Sequence, residues 1–483
     1  MKTKNIIVGI FFGLLILVGL FVYKDYGISW DEPIQHKLGV QTYDYVFGQN
    51  EQLLKNSDRF YGQHYEFLLI IAEKVFNITD VQMVYQMRHL VNYLFFILGA
   101  FFFYLLLRRR LRSVGWGLLG SALLVFSPRI FAHSFYNSKD VVFLTLFIIA
   151  SYLALVFMEK RNLLFSLIAS FVTALLIGIR VMGVVLPILV LDLFSLGGKS
   201  RASNKKVFLY LVFTALFTIL VWPILWEAPL QNFLEAFNYF PQKTGILFFG
   251  EKISSTAVPW YYTLGWILVT TPFSYLVLGL IGLWHVIEDI PKVRRDDLLI
   301  LGWFALPLVA TIVMHSVLHD TWRQMFFIYP PILYFAILGL AKSSPDFRKG
   351  LKILLGVNLF FVLTFMVRNH PYQNIYFSEF AKRPYGSEFS LDYWGLSYKQ
   401  GYEYLASVDS RSEIKVFADG LPGETNLMML PLEERIRFQF VSNKSSADYY
   451  LTTYRGSREL YASPVFYEIV VDGARILGIY KVD

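Results

Sequence analysis

Cysteine is absent from all 483 residues. That excludes a disulfide framework and any thiolate metal site, and it leaves the redox compartment undetermined. Charge is sparse: Asp, Glu, Lys and Arg make up 17% of the chain against 55% hydrophobic residues, and no charged side chain occurs between Asn5 and Tyr23. No small-residue cleavage site follows this first apolar run and further runs come after it, so a retained helix is expected rather than a removed signal peptide. No convincing internal repeat is present, which counts against the repeat-built architecture common among transporters.

What the chain does have is a succession of apolar runs separated by charge clusters. Read against a hydrocarbon core that takes about 20 residues to cross, they predict a polytopic helical membrane protein. The spans fall near 5–23, 84–107, 114–127, 142–158, 163–179, 181–197, 207–225, 273–288, 298–314, 326–341 and 351–367, about eleven in all, with 256–272 as a further candidate. The net charge of +8 then describes loops, and no nucleic-acid partner is expected.

Alternate connections are basic: Lys2 and Lys4, "RRRLR" at 108–112, Lys160-Arg161, "GGKSRASNKK" at 197–206, Lys292 with Arg294 and Arg295, and Lys342 with Arg348 and Lys349. The positive-inside rule makes these cytoplasmic. Residues 24–83, 128–141, the turn at Arg180, 226–272, 315–325 and everything after Val367 are then outside. The expected organisation is a membrane domain over 1–367 followed by a small α/β domain over 368–483.

In that last stretch the apolar runs shorten to strand length, as in "EIKVFA", "IRFQFV", "DYYLTTY", "FYEIVVDG" and "RILGIYKV". "VDGARI" reads as a hairpin turn, and Ser397 with Gln400 as a capping box opening a helix.

Polar chemistry gathers on the outer side. Asp31 and Glu32 stand side by side just after the first span, ahead of Pro33, which suits a first helical position. One carboxylate complements the helix dipole; the second is unexplained by it. "SPRIFAHSFYNSKD", 127–140, concentrates Arg129, His133, Asn137, Lys139 and Asp140 between two apolar spans, where charge is costly unless paired or solvated. Arg180 lies between two spans, either snorkelling to headgroups or serving as an anion ligand. His315 and His319 are spaced as two ligands on one helix face would be, with Asp320 adjacent; interfacial polarity explains them as well, and His319 and Asp320 are the candidate metal ligands. Aromatic residues crowd 369–380 and 390–405, suiting a membrane interface or stacking on sugar rings. Tyr372 and Trp394 there, with His133 and Asn137, are the substrate-binding candidates.

Carboxylates and cations on the outer face suit glycosyl transfer from a polyprenyl-phosphate sugar. A carboxylate takes the proton of an acceptor hydroxyl, and Arg or Lys stabilises the leaving phosphate. A transporter or flippase of a lipid-linked substrate, or a scaffold, is the alternative.

The Asp-Glu pair, "FAHSFYNSKDVVF", the Arg after the fifth span, "HDTWRQMFFIYPP" and "HPYQNIYF…LDYWGLSY" together resemble bacterial membrane glycosyltransferases of the GT-C class. These are related to protein O-mannosyltransferases, of the dolichyl-phosphate-mannose-protein mannosyltransferase type, and to aminoarabinose lipid A transferases. The resemblance implies an inverting enzyme of the bacterial cytoplasmic membrane that takes a polyprenyl-phosphate sugar. It implies Asp31 as base, with Glu32 as its neighbour or substitute, and Asp140 as a second acid. Arg180, Arg323 and Lys139 are the candidates for gripping the donor phosphate. Some relatives bind a divalent metal and others need none. The acceptor would be a glycan, a lipid or a protein.

Overall fold

The computed structural model describes residues 2–48, 50–160, 162–196, 201–239, 243–288, 293–455 and 464–482. Arg161, Lys292 and residues 197–200 of the basic connections lie outside them. All eleven apolar stretches are helical. Among the described residues six helices are long and apolar enough to cross a membrane: Thr3–Val22, Val81–Leu111, Asp140–Lys160, Arg295–Val313, Arg323–Lys342 and Pro345–Arg368. A seventh is reached if the pair Val114–Val125 and Pro128–Tyr136, bent by 69°, counts as one span. The apolar helices Leu163–Ile179, Val181–Ser195 and Phe273–Ile287 are shorter.

The bundle closes through small residues. A Cβ on Gly282 would lie 1.8 Å from the Phe335 carbonyl oxygen, and one on Gly339 2.4 Å from that of Leu278. The helices Phe273–Ile287 and Tyr329–Lys342 thus pack backbone to backbone, the close approach that glycine permits in apolar surroundings. At the basic end Arg110 forks onto Asp297 at 2.6 and 2.7 Å, and Tyr334 donates to Asp297 at 2.7 Å.

Residues 24–83 fold into the helices Glu32–Val46, Gln52–Lys55 and Gln63–Val75. Beneath them Arg88 is buried and bonds Glu66 and Glu73, the latter at 3.3 Å. Ser138 donates to Glu66 as well, so this buried ionic group reaches the 127–140 segment.

The last part of the chain forms a five-stranded sheet: β3 (Ile414–Ala418), β4 (Phe438–Phe440), β5 (Tyr449–Thr452), β6 (Val465–Val471) and β7 (Ala474–Lys481), in the order β4-β3-β5-β7-β6. β3 is parallel to β4 and β5, whereas β7 runs antiparallel to β5 and β6. The β6–β7 hairpin turns on Asp472 and Gly473, at φ 47° and 79°, the pair of left-handed residues that a tight hairpin requires. A second hairpin, β1 (Gly245–Phe248) with β2 (Glu251–Ser254), lies in the outer segment 226–272, ahead of the further candidate span 256–272. The helix Tyr398–Val408 is present without the capping box. Ser397 Oγ donates to Asp392 at 2.6 Å, and Gln400 accepts from Tyr372 at 2.8 Å.

Candidate active site

Asp31 occupies the cap position of the helix Glu32–Val46, with Pro33 in its first turn, and its side chain makes no capping bond. The carboxylate is therefore free to turn outward. The loop ahead of it is clamped from far along the chain. Asn426 Oδ1 accepts from the Ile28 amide at 2.8 Å, and its Nδ2 donates to the Ile28 and Gly395 carbonyls at 2.8 and 3.1 Å. The Trp30 amide donates to the Trp394 carbonyl at 3.1 Å. Asp392 in turn accepts from the amides of Gly395, Leu396 and Ser397, closing the turn that presents Tyr393 and Trp394. Residues on both sides of position 368 thus build one site.

The 127–140 segment is shaped by Pro128. Proline disfavours helix at the residue before it, which breaks the preceding helix at Ser127. The nine residues Pro128–Tyr136 then form a wholly buried helix. At Asn137 the chain turns again: its Oδ1 accepts from the Asp140 amide at 2.9 Å, starting the helix Asp140–Lys160, and its Nδ2 donates to Asp140 Oδ2 at 3.0 Å and to His133 Nδ1 at 3.1 Å. Asn137 thus holds the start of that helix.

Five charged groups meet there. Arg323 Nη1 lies 3.2 Å from Asp31 Oδ2 and 3.2 Å from Asp140 Oδ2. Lys139 Nζ is 3.1 Å from Asp31, and Arg180, in extended backbone just past the helix Leu163–Ile179, bonds Asp140. Asp140 is fully buried, and the other four side chains are 7% to 18% exposed. Aromatic faces wall the cluster. Tyr61 lies under Lys139 and Arg180 at 5.6 and 5.4 Å, and Arg323 stacks on Trp394 at 4.7 Å. Burial raises the pKa of Asp31, but Lys139 and Arg323 outweigh it and hold the carboxyl at about 2. Three cations thus face two carboxylates, and the Nε atoms of Arg180 and Arg323 are buried without a hydrogen-bond partner.

Asp31, Asp140, Lys139, Arg180 and Arg323, read from the sequence as one constellation, are brought together. His133 and Trp394 border the cluster, their rings 5.5 Å apart. Glu32 is not part of it. It is turned into the core, accepting from the Ser29 amide at 2.6 Å and pairing with His89 at 2.9 Å, which corrects its reading as a substitute base. Tyr372 is buried against Gln400, away from the charges. His319 is within 3.2 Å of Thr244, and burial, then Arg323, depresses it to about 4.

Asp320 is 3% exposed and faces Arg455, Arg129 and Arg323. Among the described residues no three His, Asp or Glu side chains converge as a cation's ligands would, and the clustered carboxylates are already ringed by cations. The described residues of this site do not fit a divalent metal.

Tyr61 and Arg455 carry no sequence signal of their own. Arg455 stacks between Trp30 and Tyr393 at 4.1 and 4.0 Å. Only the sheet that follows β5 reveals that it returns to the Asp31 loop.

No family model matches the chain. No curated protein matches it either. Among solved structures, ArnT from Cupriavidus metallidurans is similar over nearly the whole length of both chains. Its apo form has a TM-score of 0.54, and the form bound to undecaprenyl phosphate has 0.55; each is 12% identical and covers 99% of this chain and 98% of its own. An oligosaccharyltransferase from Archaeoglobus fulgidus, tethered to an acceptor peptide, has a TM-score of 0.45 at 12% identity over 80% of this chain and 56% of its own. The fold is the GT-C fold of ArnT, and with its apolar helices the chain is a multi-pass membrane protein.

Proposed function

We propose that the protein is an inverting glycosyltransferase that moves a hexose or pentose from a polyprenyl-phosphate donor to an acceptor glycan, lipid or protein on the outer face of a bacterial cytoplasmic membrane. The carrying observation is the cluster itself: three cations around two carboxylates, with two buried guanidinium nitrogens unpartnered. A lipid phosphate supplies the missing anion. That ArnT was crystallised with undecaprenyl phosphate supports the choice of lipid.

In this reading Arg180 and Arg323 bind the phosphate through charge-assisted hydrogen bonds, which are strongest in a partly desolvated site. Asp31 accepts the proton of the acceptor hydroxyl as its oxygen bonds the anomeric carbon from the face opposite the phosphate. The bond between that carbon and the phosphate oxygen breaks, and the polyprenyl phosphate leaves with the electron pair. A carboxylate held at about 2 is a weak base, because a base works best with its pKa near the working pH. Donor binding addresses this, since a phosphate engaging Lys139 and Arg323 weakens their hold on Asp31 and raises its proton affinity. Asp140 keeps Arg180 and Arg323 in place.

The same reading has eleven spans, the N-terminus inside, and residues 368–483 outside, where their Trp394 turn reaches the cluster. The test is transfer by the purified protein from undecaprenyl-phosphate sugars to cell-envelope acceptors, with mass spectrometry of envelope glycans from a deletion strain to identify both. Absence of any sugar transfer, with the envelope unchanged, would refute the assignment.

A further inference from the structure

A cavity of about 780 Å³ is lined in part by Tyr393, whose ring also faces Arg323 of the charge cluster. Its walls come from β1, the 384–391 loop, the end of β5 and the start of β7, so the membrane domain's outer hairpin and the C-terminal sheet enclose it jointly. At this size it suits a small organic ligand.

Two polar groups on its wall lack side-chain partners. Asp320 is 97% buried, no side chain among the described residues donates to either carboxylate oxygen, and none forms an ion pair with it. Every neighbouring cation is committed elsewhere: Arg323 to Asp31 and Asp140, and Arg129 to the Tyr376 carbonyl and the Phe377 ring. Arg455 is fixed between Trp30 and Tyr393, and its Nη1 is buried without a partner. Buried polar groups are nearly always satisfied, and a buried carboxylate left unpaired is costly. Burial accordingly raises Asp320 to about 7, against the pull of Arg455, Arg129 and Arg323.

We propose that this cavity is the acceptor subsite and takes a neutral pyranose unit, with one hydroxyl donating to Asp320 and another accepting from Arg455. The assignment rests on the glycosyltransferase reading. Hydroxyls do both jobs at once. A phosphate or uronate would meet the Asp320 carboxylate, and an amine would meet Arg455 and Lys252. Phe389, Leu391 and Tyr393 offer the apolar wall on which the carbon face of a sugar ring packs. Tyr393 also touches the cluster, at 5.7 Å from the Arg323 guanidinium, so a sugar held here lies next to the donor site.

The experiment uses the full chain in lipid nanodiscs. Methyl glucoside, methyl mannoside, glucosamine and glucuronate are tested by saturation-transfer NMR, and undecaprenyl phosphate by native mass spectrometry. A neutral glycoside is expected to bind most tightly. Asp320→Asn and Arg455→Ala should each weaken it at least tenfold, with lipid affinity unchanged within twofold. Gly245→Trp provides a second route: Gly245 lines the cavity and a Cβ there meets nothing within 4 Å, so a bulky side chain is tolerated at its root and should weaken glycoside binding.

The proposal is overturned if no neutral glycoside binds, if glucosamine or glucuronate binds more tightly, or if all three variants bind as the parent does. Glycoside binding without lipid binding would instead overturn the donor assignment, and with it the acceptor role, leaving the cavity as a glycoside-binding site.

Discussion

Arg323 Nη1 stands 3.2 Å from Asp31 Oδ2 although 292 residues separate them in the chain. This single contact joins the first outer loop to the entry of a late span. Together with Lys139 it lowers the proton affinity of Asp31, and it commits one nitrogen of a guanidinium whose Nε is still free.

Asp31→Asn is expected to lower transfer by about 10²–10⁴-fold, the range that a positioned base contributes, while undecaprenyl-phosphate binding persists. Single-turnover transfer alongside lipid binding separates the two, and full turnover by the variant would remove Asp31 from the base role.

Arg180→Ala should weaken undecaprenyl phosphate by about 10–100-fold, since a hydrogen bond to a charged group contributes roughly 1.5–3 kcal/mol. Native mass spectrometry reads this directly. An unchanged affinity would leave Arg180 as a partner of Asp140 and nothing more.

Asp320 ties stability to pH with a reversed sign. Its folded pKa of about 7 lies above the ordinary 3.8, so the folded state holds the proton longer and stability falls as pH rises from about 4 to 7, with no further loss above. Asp320→Asn removes this dependence. The variant should gain about 3 kcal/mol more over the parent at pH 8 than at pH 5, seen as a widening Tm difference. An equal difference at both pH values would contradict the raised carboxyl.

Arg88→Met leaves Glu66 and Glu73 buried without their cation and should cost about 3–5 kcal/mol, read as a lower Tm. Adding Glu66→Gln and Glu73→Gln should restore most of it. Because Ser138 bonds Glu66, the single variant should also reduce transfer through a displaced Lys139.

The helices were legible because apolar periodicity and charge asymmetry are local signals, and so were the β6–β7 hairpin and the cluster of Asp31, Asp140, Lys139, Arg180 and Arg323. Glu32 was misread because adjacency cannot reveal rotation: one residue further into the helix, its side chain points at His89. Ser397 and Gln400 matched a local motif, but Asp392 and Tyr372 claimed them first. Arg455 and Tyr61 were invisible because their neighbours are assembled only by tertiary folding.

The Asn426 side chain bonds both backbone groups of Ile28, standing in for a missing strand. During synthesis the Asp31 loop emerges almost four hundred residues before this clamp exists. The charged pocket is therefore opened early and completed late, and a nascent chain acquires its chemistry only as its final sheet is being made.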